Sequence, residues 1–353
     1  MRILVTGGAG FVGSHLALLF KRDMLNSTVI ALDNLKRRGS ELALQRLASG
    51  GVEFRHGDIR NREDLADAGS LDLLIECSAE PSVQAGLVGG DRYLINTNLN
   101  GTINCLDHAR RHEAAVVFLS TSRVYPIAAL RELPLVATDT RFVISETNRG
   151  PGWSAYGITE NFPLTGARSL YGATKLCSEL IIAEYVALYG LRAVVNRCGV
   201  LTGPWQMGKV DQGFIVFWAA RHRFGGPLSY NGFGGAGLQV RDVLHIDDLY
   251  RLIRDQVAQM SVHSGKTYNV GGGAERSLSL AELTEACVER TGRRVAITSQ
   301  PDTNPVDVPY YVTDNSAVTA AIGWRPRLSI AEILDEIFTW LREHRRELEV
   351  ILK

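Results

Sequence analysis

Ile3-Leu4-Val5-Thr6-Gly7-Gly8-Ala9-Gly10-Phe11-Val12-Gly13-Ser14 stands at the head of the chain, directly after Met1-Arg2. A short aliphatic run leads into Gly7, Gly10 and Gly13, spaced three apart, and then into residues that suit a helix. The first glycine permits a tight turn, the second lets the backbone approach a pyrophosphate, and the third lets helix close onto strand. A helix starting near Phe11 aims its unpaired N–H groups, those around Phe11, Val12 and Gly13, at an anion. Such a triplet also arises by chance, so its position between strand and helix is what gives it weight.

Working outward, Asp33 follows Gly13 by 20 residues at the end of a second apolar run, with Asn34 beside it. A carboxylate there accepts hydrogen bonds from ribose hydroxyls and repels a 2′-phosphate, which favours NAD over NADP. A plain turn residue is the alternative reading of Asp33, and Lys36, Arg37 and Arg38 pull against the NAD choice. Asp58-Ile59 closes a third run, where a carboxylate can meet the adenine amino group. A strand-end turn explains Asp58 equally well.

Through residue 125, short β-branched runs (3–5, 29–32, 52–55, 71–76, 116–120) alternate with helix-like stretches (13–22, 40–48, 96–112). This pattern predicts an α/β, Rossmann-type doubly wound parallel sheet. Residues 126–165 read as an irregular insertion over the C-terminal edge of the sheet. A helix is expected over 170–188, a strand over 191–197 and a last helix over 329–345. The composition changes after 199, so residues 1–198 are expected to bind the dinucleotide. Residues 199–353 are expected to form a smaller C-terminal substrate lobe, partly interleaved with the first.

Bulk composition excludes several classes. With 38 basic against 38 acidic residues, nothing favours a nucleic-acid surface or an anionic membrane. No apolar stretch approaches the ~20 residues that span a bilayer. The cysteines at 77, 105, 177, 198 and 287 contain no CxxC pair, so neither a metal site nor a disulfide framework is implied. A cytoplasmic, metal-free protein is the expectation.

Tyr171 and Lys175 stand four apart and project from one helix face. A phenol titrates near 10 in water. An adjacent ammonium stabilises its phenolate and makes it a usable base. Ser120-Thr121-Ser122 ends an apolar run and can offer a hydroxyl to the reacting oxygen. Surface neighbours and strand-end caps are the plain alternatives for these two features.

Together these residues resemble the extended short-chain dehydrogenase/reductases, the nucleotide-sugar epimerases and dehydratases. The resemblance is carried by TGGAGFVGS, Asp33, GDIR at 57–60, Asn98 in TNLNGT, STSRVY, YGATK and RDVLHIDD at 241–248. Asp211-Gln212-Gly213, GLQVRDVLH and YNVGGGAERSLSLAELTE are most similar to the CDP-paratose (CDP-tyvelose) 2-epimerases of that branch. The resemblance implies a catalytic trio of Thr121, Tyr171 and Lys175. It also implies Asn98 and the 77–80 segment, with Ser78 and Ala79, near NAD, and Arg241 on a substrate diphosphate. A salt bridge to Asp242, Asp247 or Asp248 is the alternative reading of Arg241.

Gln206, Asp211 and Gln212 are expected to touch substrate, Gln206 because it follows Gly203-Pro204-Trp205. Trp218, Trp324 and Trp340 are expected in the core, His245 is read as structural, and 342–347 as a solvated helix face. Many relatives place an arginine where Asn304 stands, and many 4-epimerases an asparagine where Val200 stands, so diphosphate binding leans on Arg241 and backbone donors. The branch's 4,6-dehydratases carry Asp-Glu after the catalytic threonine, where this chain has Ser122-Arg123. Elimination is therefore not expected, and the likeness to the 2-epimerases implies reversible oxidation of a nucleotide sugar at C2, with 4-epimerisation or another reductase reaction as the alternative. A non-catalytic NAD-binding regulator is the third reading. A homodimer or homotetramer is implied by the resemblance alone.

Overall fold

A computed structural model describes residues 1–87, 89–209 and 212–353. The chain divides into two compact units. One comprises Met1–Val124, Leu170–Arg197 and Leu249–Tyr268; the other comprises Tyr125–Ser169, Cys198–Asp248 and Asn269–Lys353. The chain thus passes between them several times, and 125–169 joins the second unit although the expected boundary near 198 placed it with the first.

The first unit is built on a parallel sheet. Its seven strands run in the order Thr267–Val270, Ala193–Cys198, Ala115–Thr121, Leu73–Glu76, Arg2–Thr6, Thr28–Asp33, Glu53–His56. Order reverses beside Arg2–Thr6, which pairs with Thr28–Asp33 on one side and Leu73–Glu76 on the other. Ligands of doubly wound sheets bind outside the strand ends at such a reversal. Leu4, Leu74, Val116 and Phe118 pack under Leu106, Ala109 and Ile182, so helices Gly101–Arg111 and Leu170–Tyr189 cover one face. Burial on both faces explains why these strands read as continuous apolar runs rather than alternating ones.

Two helical stretches differ from expectation. The segment expected over 96–112 begins earlier, as Asp91–Ile95, and passes through a π-helical turn, Asn96–Asn100, before Gly101–Arg111. The extra residue of a π turn shifts hydrogen-bond register, which periodicity cannot show, and such turns concentrate at functional sites. The C-terminal helix ends at Glu343, and Arg345–Leu352 forms another. The 342–347 run is solvated as expected except at half-buried His344, but it spans a break between two helices, and His344 at the break packs 4.6 Å from the Trp205 ring.

In the second unit the stretch expected to be irregular is ordered. It holds helix Ile127–Arg131, a hairpin of Leu135–Ala137 with Phe142–Ile144, and a small sheet of Arg149–Gly150, Trp153–Ser154 and Gly157–Ile158. Its strands of two or three residues are too short to show alternation. Strand Val240–His245 is the hub of this unit, pairing with Val200–Thr202, Ser277–Ser279 and Tyr310–Tyr311. Trp218 and Trp340 lie in its core, and the Trp324 indole donates to the Asp248 carbonyl at 3.0 Å. His245 is buried with Glu336 3.3 Å from Nε2. Among the described residues no helix is long and apolar enough to cross a membrane. Among the same residues no group of three or more His, Cys, Asp or Glu is placed to hold a metal ion.

Candidate active site

The glycine turn is fixed by contact rather than by composition. Gly7 has φ +63°, and a Cβ there would stand 2.9 Å from the Cys77 carbonyl and the Ser78 nitrogen. A Cβ on Gly13 would lie 2.1 Å from the Gly7 oxygen, so helix Phe11–Asp23 reaches the turn only without a side chain there. Gly10 caps that helix, no side chain caps it, and its first turn carries no acid. Phe11 and Val12 stand half-buried in this first turn. The donors at this helix end fit a dinucleotide's pyrophosphate. Gly13→Ala should therefore abolish NAD retention, measured by equilibrium dialysis, and lower the melting temperature. A variant that still held NAD at wild-type affinity would refute the cradle.

Asp33 accepts from the Ala9 amide at 3.1 Å and the Leu35 amide at 2.8 Å. It braces the glycine turn at the strand end while burial pushes its carboxyl upward. Asn34 donates to Asp58 at 2.8 Å, and Arg60 pairs with Asp58 at 2.6 Å. Burial alone would raise the Asp58 carboxyl, but the hydrogen bonds from Arg60 and Asn34 outweigh it and hold it down at about 2. Ile59, next along, is buried against the position of Gly101. Lys36 does not stand over the ribose carboxylate: its ammonium lies 3.0 Å from the centre of the Tyr93 ring.

Thr121 ends strand Ala115–Thr121, and Tyr171 and Lys175 lie in the first turns of helix Leu170–Tyr189. All three are buried, at 8%, 9% and 2% exposure. The turn Ser122–Val124 packs on that helix, so strand end and helix start belong to one cluster. The Thr121 hydroxyl accepts from the Arg123 amide at 3.2 Å, and the Lys175 ammonium lies 4.2 Å from the Phe118 ring centre.

Asn98, on the π turn, joins this cluster to the segment after Leu73–Glu76. Its side chain accepts from the Glu80 amide at 2.7 Å and donates to the Glu80 carbonyl at 3.1 Å and to Thr174 at 3.4 Å. Its carbonyl accepts from Ser178 at 3.0 Å and from Thr102 at 2.9 Å. Asn98 thereby ties the 77–80 loop, with Ser78 and Ala79, to the helix that carries Tyr171.

Sequence reasoning passed over Glu76. This carboxylate ends an apolar strand, is fully buried, and accepts a hydrogen bond from Thr102. Burial raises it to about 7, against the pull of Lys175 and of that hydrogen bond. A charged residue closing a strand covered on both faces was the available signal. Folded Glu76 holds its proton more tightly than the unfolded chain does, so its penalty grows as pH rises from about 4.5 to 7. Wild type should gain roughly 2–3 kcal/mol over Glu76→Gln between pH 7 and pH 5. Urea unfolding of both at each pH measures it, and parallel curves would refute it.

In the second unit Arg241 pairs with an aspartate outside the three considered from sequence, Asp307. It donates to Asp307 at 2.9 Å, to the Val308 carbonyl at 2.6 Å and to its own Val240 carbonyl at 2.8 Å. Arg131, which sequence reasoning also passed over, donates to the carbonyls of Asn304, Pro305 and Asp307. Two guanidiniums thus bracket the 304–308 loop. Gln206 spends both ends of its amide nearby, accepting from Thr202 and donating to the Leu201 carbonyl, each at 2.9 Å. Trp205, at φ +68°, packs 5.8 Å from Trp340. Gln212 exchanges backbone hydrogen bonds with Lys209, while Asp211 lies outside the described residues.

Residues 3–271 match the model of the NAD dependent epimerase/dehydratase family. The chain belongs to that family. Its cofactor is NAD, and the glycine turn with Asp33 fits that group. A CDP-paratose 2-epimerase of Salmonella typhi is 29% identical, covering 96% of this chain and 99% of that protein. A dTDP-glucose 4,6-dehydratase of Streptomyces griseus is 30% identical, covering 97% of this chain and 94% of that one. A double mutant of a dTDP-glucose 4,6-dehydratase from Streptomyces venezuelae, solved with NAD bound, superposes with a TM-score of 0.79. It is 29% identical and covers all of both chains. The protein is thus an enzyme of a family that includes both epimerases and dehydratases.

Proposed function

We propose that this enzyme inverts C2 of a nucleotide-diphosphate sugar of the CDP-paratose/CDP-tyvelose type through a transient ketone. The observation that carries this reading is the strand end: Thr121 is followed by Ser122 and Arg123, with no carboxylate. Eliminating water from a sugar needs an acid to protonate the leaving hydroxyl, and 122–123 offers none.

Bound NAD supplies the hydride acceptor and returns the hydride. Tyr171 takes the proton from the C2 hydroxyl, and Lys175, on the same helix face, favours the phenolate that does so. Thr121 holds the reacting oxygen, and as a ketone forms, hydroxyl donors to that oxygen strengthen. Because the sugar turns over before reduction, Tyr171 returns a proton to the oxygen and is reset. Arg241 is the group for the diphosphate, which must draw it from Asp307; a planar guanidinium matches phosphate oxygens two at a time.

Incubation with CDP-linked and UDP-linked sugars in heavy water, followed by NMR, tests the reading. Inversion at C2 without solvent deuterium at carbon is the expected result. Inversion at C4 would establish the alternative, which the 4-epimerases of the family keep in view, and loss of water would overturn both. We also propose a homodimer through helix Leu170–Tyr189, whose Leu180 and Leu188 are 62% and 68% exposed. Leu180→Asp should halve the mass in sedimentation, and an unchanged mass would exclude this face.

A further inference from the structure

Glu76 is register-paired with Phe118 on the adjacent parallel strand and with Thr6 on the other side. Register partners in a parallel sheet point to the same face. The Lys175 ammonium lies over the Phe118 ring, so it stands on the face into which Glu76 projects, one strand away. One carboxylate oxygen accepts from Thr102, whose hydroxyl also reaches the Asn98 carbonyl. The other oxygen, Oε2, is buried without a hydrogen-bond partner among the described residues. A buried carboxylate with a bare oxygen is costly to keep, and an apolar residue would suit this face better. The titratable groups facing Glu76 are Lys175 from helix Leu170–Tyr189 and the Cys105 thiol from helix Gly101–Arg111. Its sheet neighbours, Thr6 and Phe118, do not titrate.

We propose that Glu76 is a positioning residue for the proton-handling pair. From beneath, its carboxyl draws the Lys175 ammonium and sets how much of that charge acts on the Tyr171 phenol. The inference rests on the reading of Tyr171 as the base. When Glu76 is ionised, the ammonium is drawn toward the carboxylate as well as the phenol; when it is neutral, that competing pull is gone. The rise of Glu76 to about 7 puts this exchange near neutral pH. Thr102, which donates to the carboxylate, favours the ionised form.

Phenolate absorbance near 295 nm, titrated as the difference between each full-length protein and its own Tyr171→Phe version, isolates Tyr171. In a Glu76→Gln background the Tyr171 midpoint should fall by roughly half a unit to one unit. Thr102→Val retains Glu76, which stays ionised where a phenol titrates even without its donor, and should leave the midpoint nearly in place. Urea unfolding confirms that each variant folds. A coincident midpoint in wild type and folded Glu76→Gln, a rise, or an equal fall in folded Thr102→Val would overturn the proposal. The titration needs no substrate, so failure to find any sugar turnover would sink the functional reading while leaving this result decisive for Glu76.

Discussion

Tyr171→Phe should lower the rate of sugar inversion by about three to five orders of magnitude while leaving NAD bound. One hydroxyl carries both roles assigned here, proton acceptor and donor to the developing oxyanion. General acid–base groups contribute about 10²–10⁴-fold and a lost oxyanion donor about 10²–10³-fold, and the two overlap because they share an atom. Phenylalanine keeps the ring in its buried place, so a large change in stability is not expected. The measurement is kcat by NMR alongside a thermal melt and NAD retention. Activity above a tenth of wild type with NAD retained would remove Tyr171 from the chemistry. Lys175→Met makes the comparison sharper, because it leaves the phenol in place and removes only the charge that favours its ionised form.

The parts of this site legible in sequence were those set by local spacing. Gly7, Gly10 and Gly13 are constrained by backbone contacts across a single turn, and Tyr171 and Lys175 by one turn of helix. The parts that escaped depend on pairing between segments far apart in the chain. Glu76 acquires its setting from Phe118 and Lys175, and Arg241 finds Asp307, 66 positions on. Neither relation has a spacing to read. The same holds for the fold: strands long enough to be buried on both faces announced themselves. The two- and three-residue strands of 135–158 and the π turn at Asn98 did not, because strands that short show no alternation and a single π turn shifts the helical register without a period of its own.

A buried ion pair ties strand Ala193–Cys198 to the helix bearing Tyr171, and the strand bearing Thr121 joins it through Ser120. Arg197 meets Glu179 in a forked contact, Nη2 at 2.7 Å from Oε2 and Nε at 3.2 and 3.1 Å from the two oxygens. Ser120, next to Thr121, donates to the same carboxylate. With the side chains 8% and 6% exposed, Arg197→Met leaves a carboxylate without its counter-charge in the interior. The cost should be about 3–5 kcal/mol. Replacing both, Glu179→Leu with Arg197→Met, should recover most of it, leaving about 1 kcal/mol for the stranded Ser120 hydroxyl. Urea unfolding of the two single variants and the double gives the coupling energy directly. If the double variant is no more stable than Arg197→Met alone, the loss comes from packing and not from the abandoned charge. Activity separates what stability cannot. If the pair fixes where Thr121 stands against Tyr171, the double variant should regain its fold but not its full rate, since apolar replacements fill volume without holding the strand end in register.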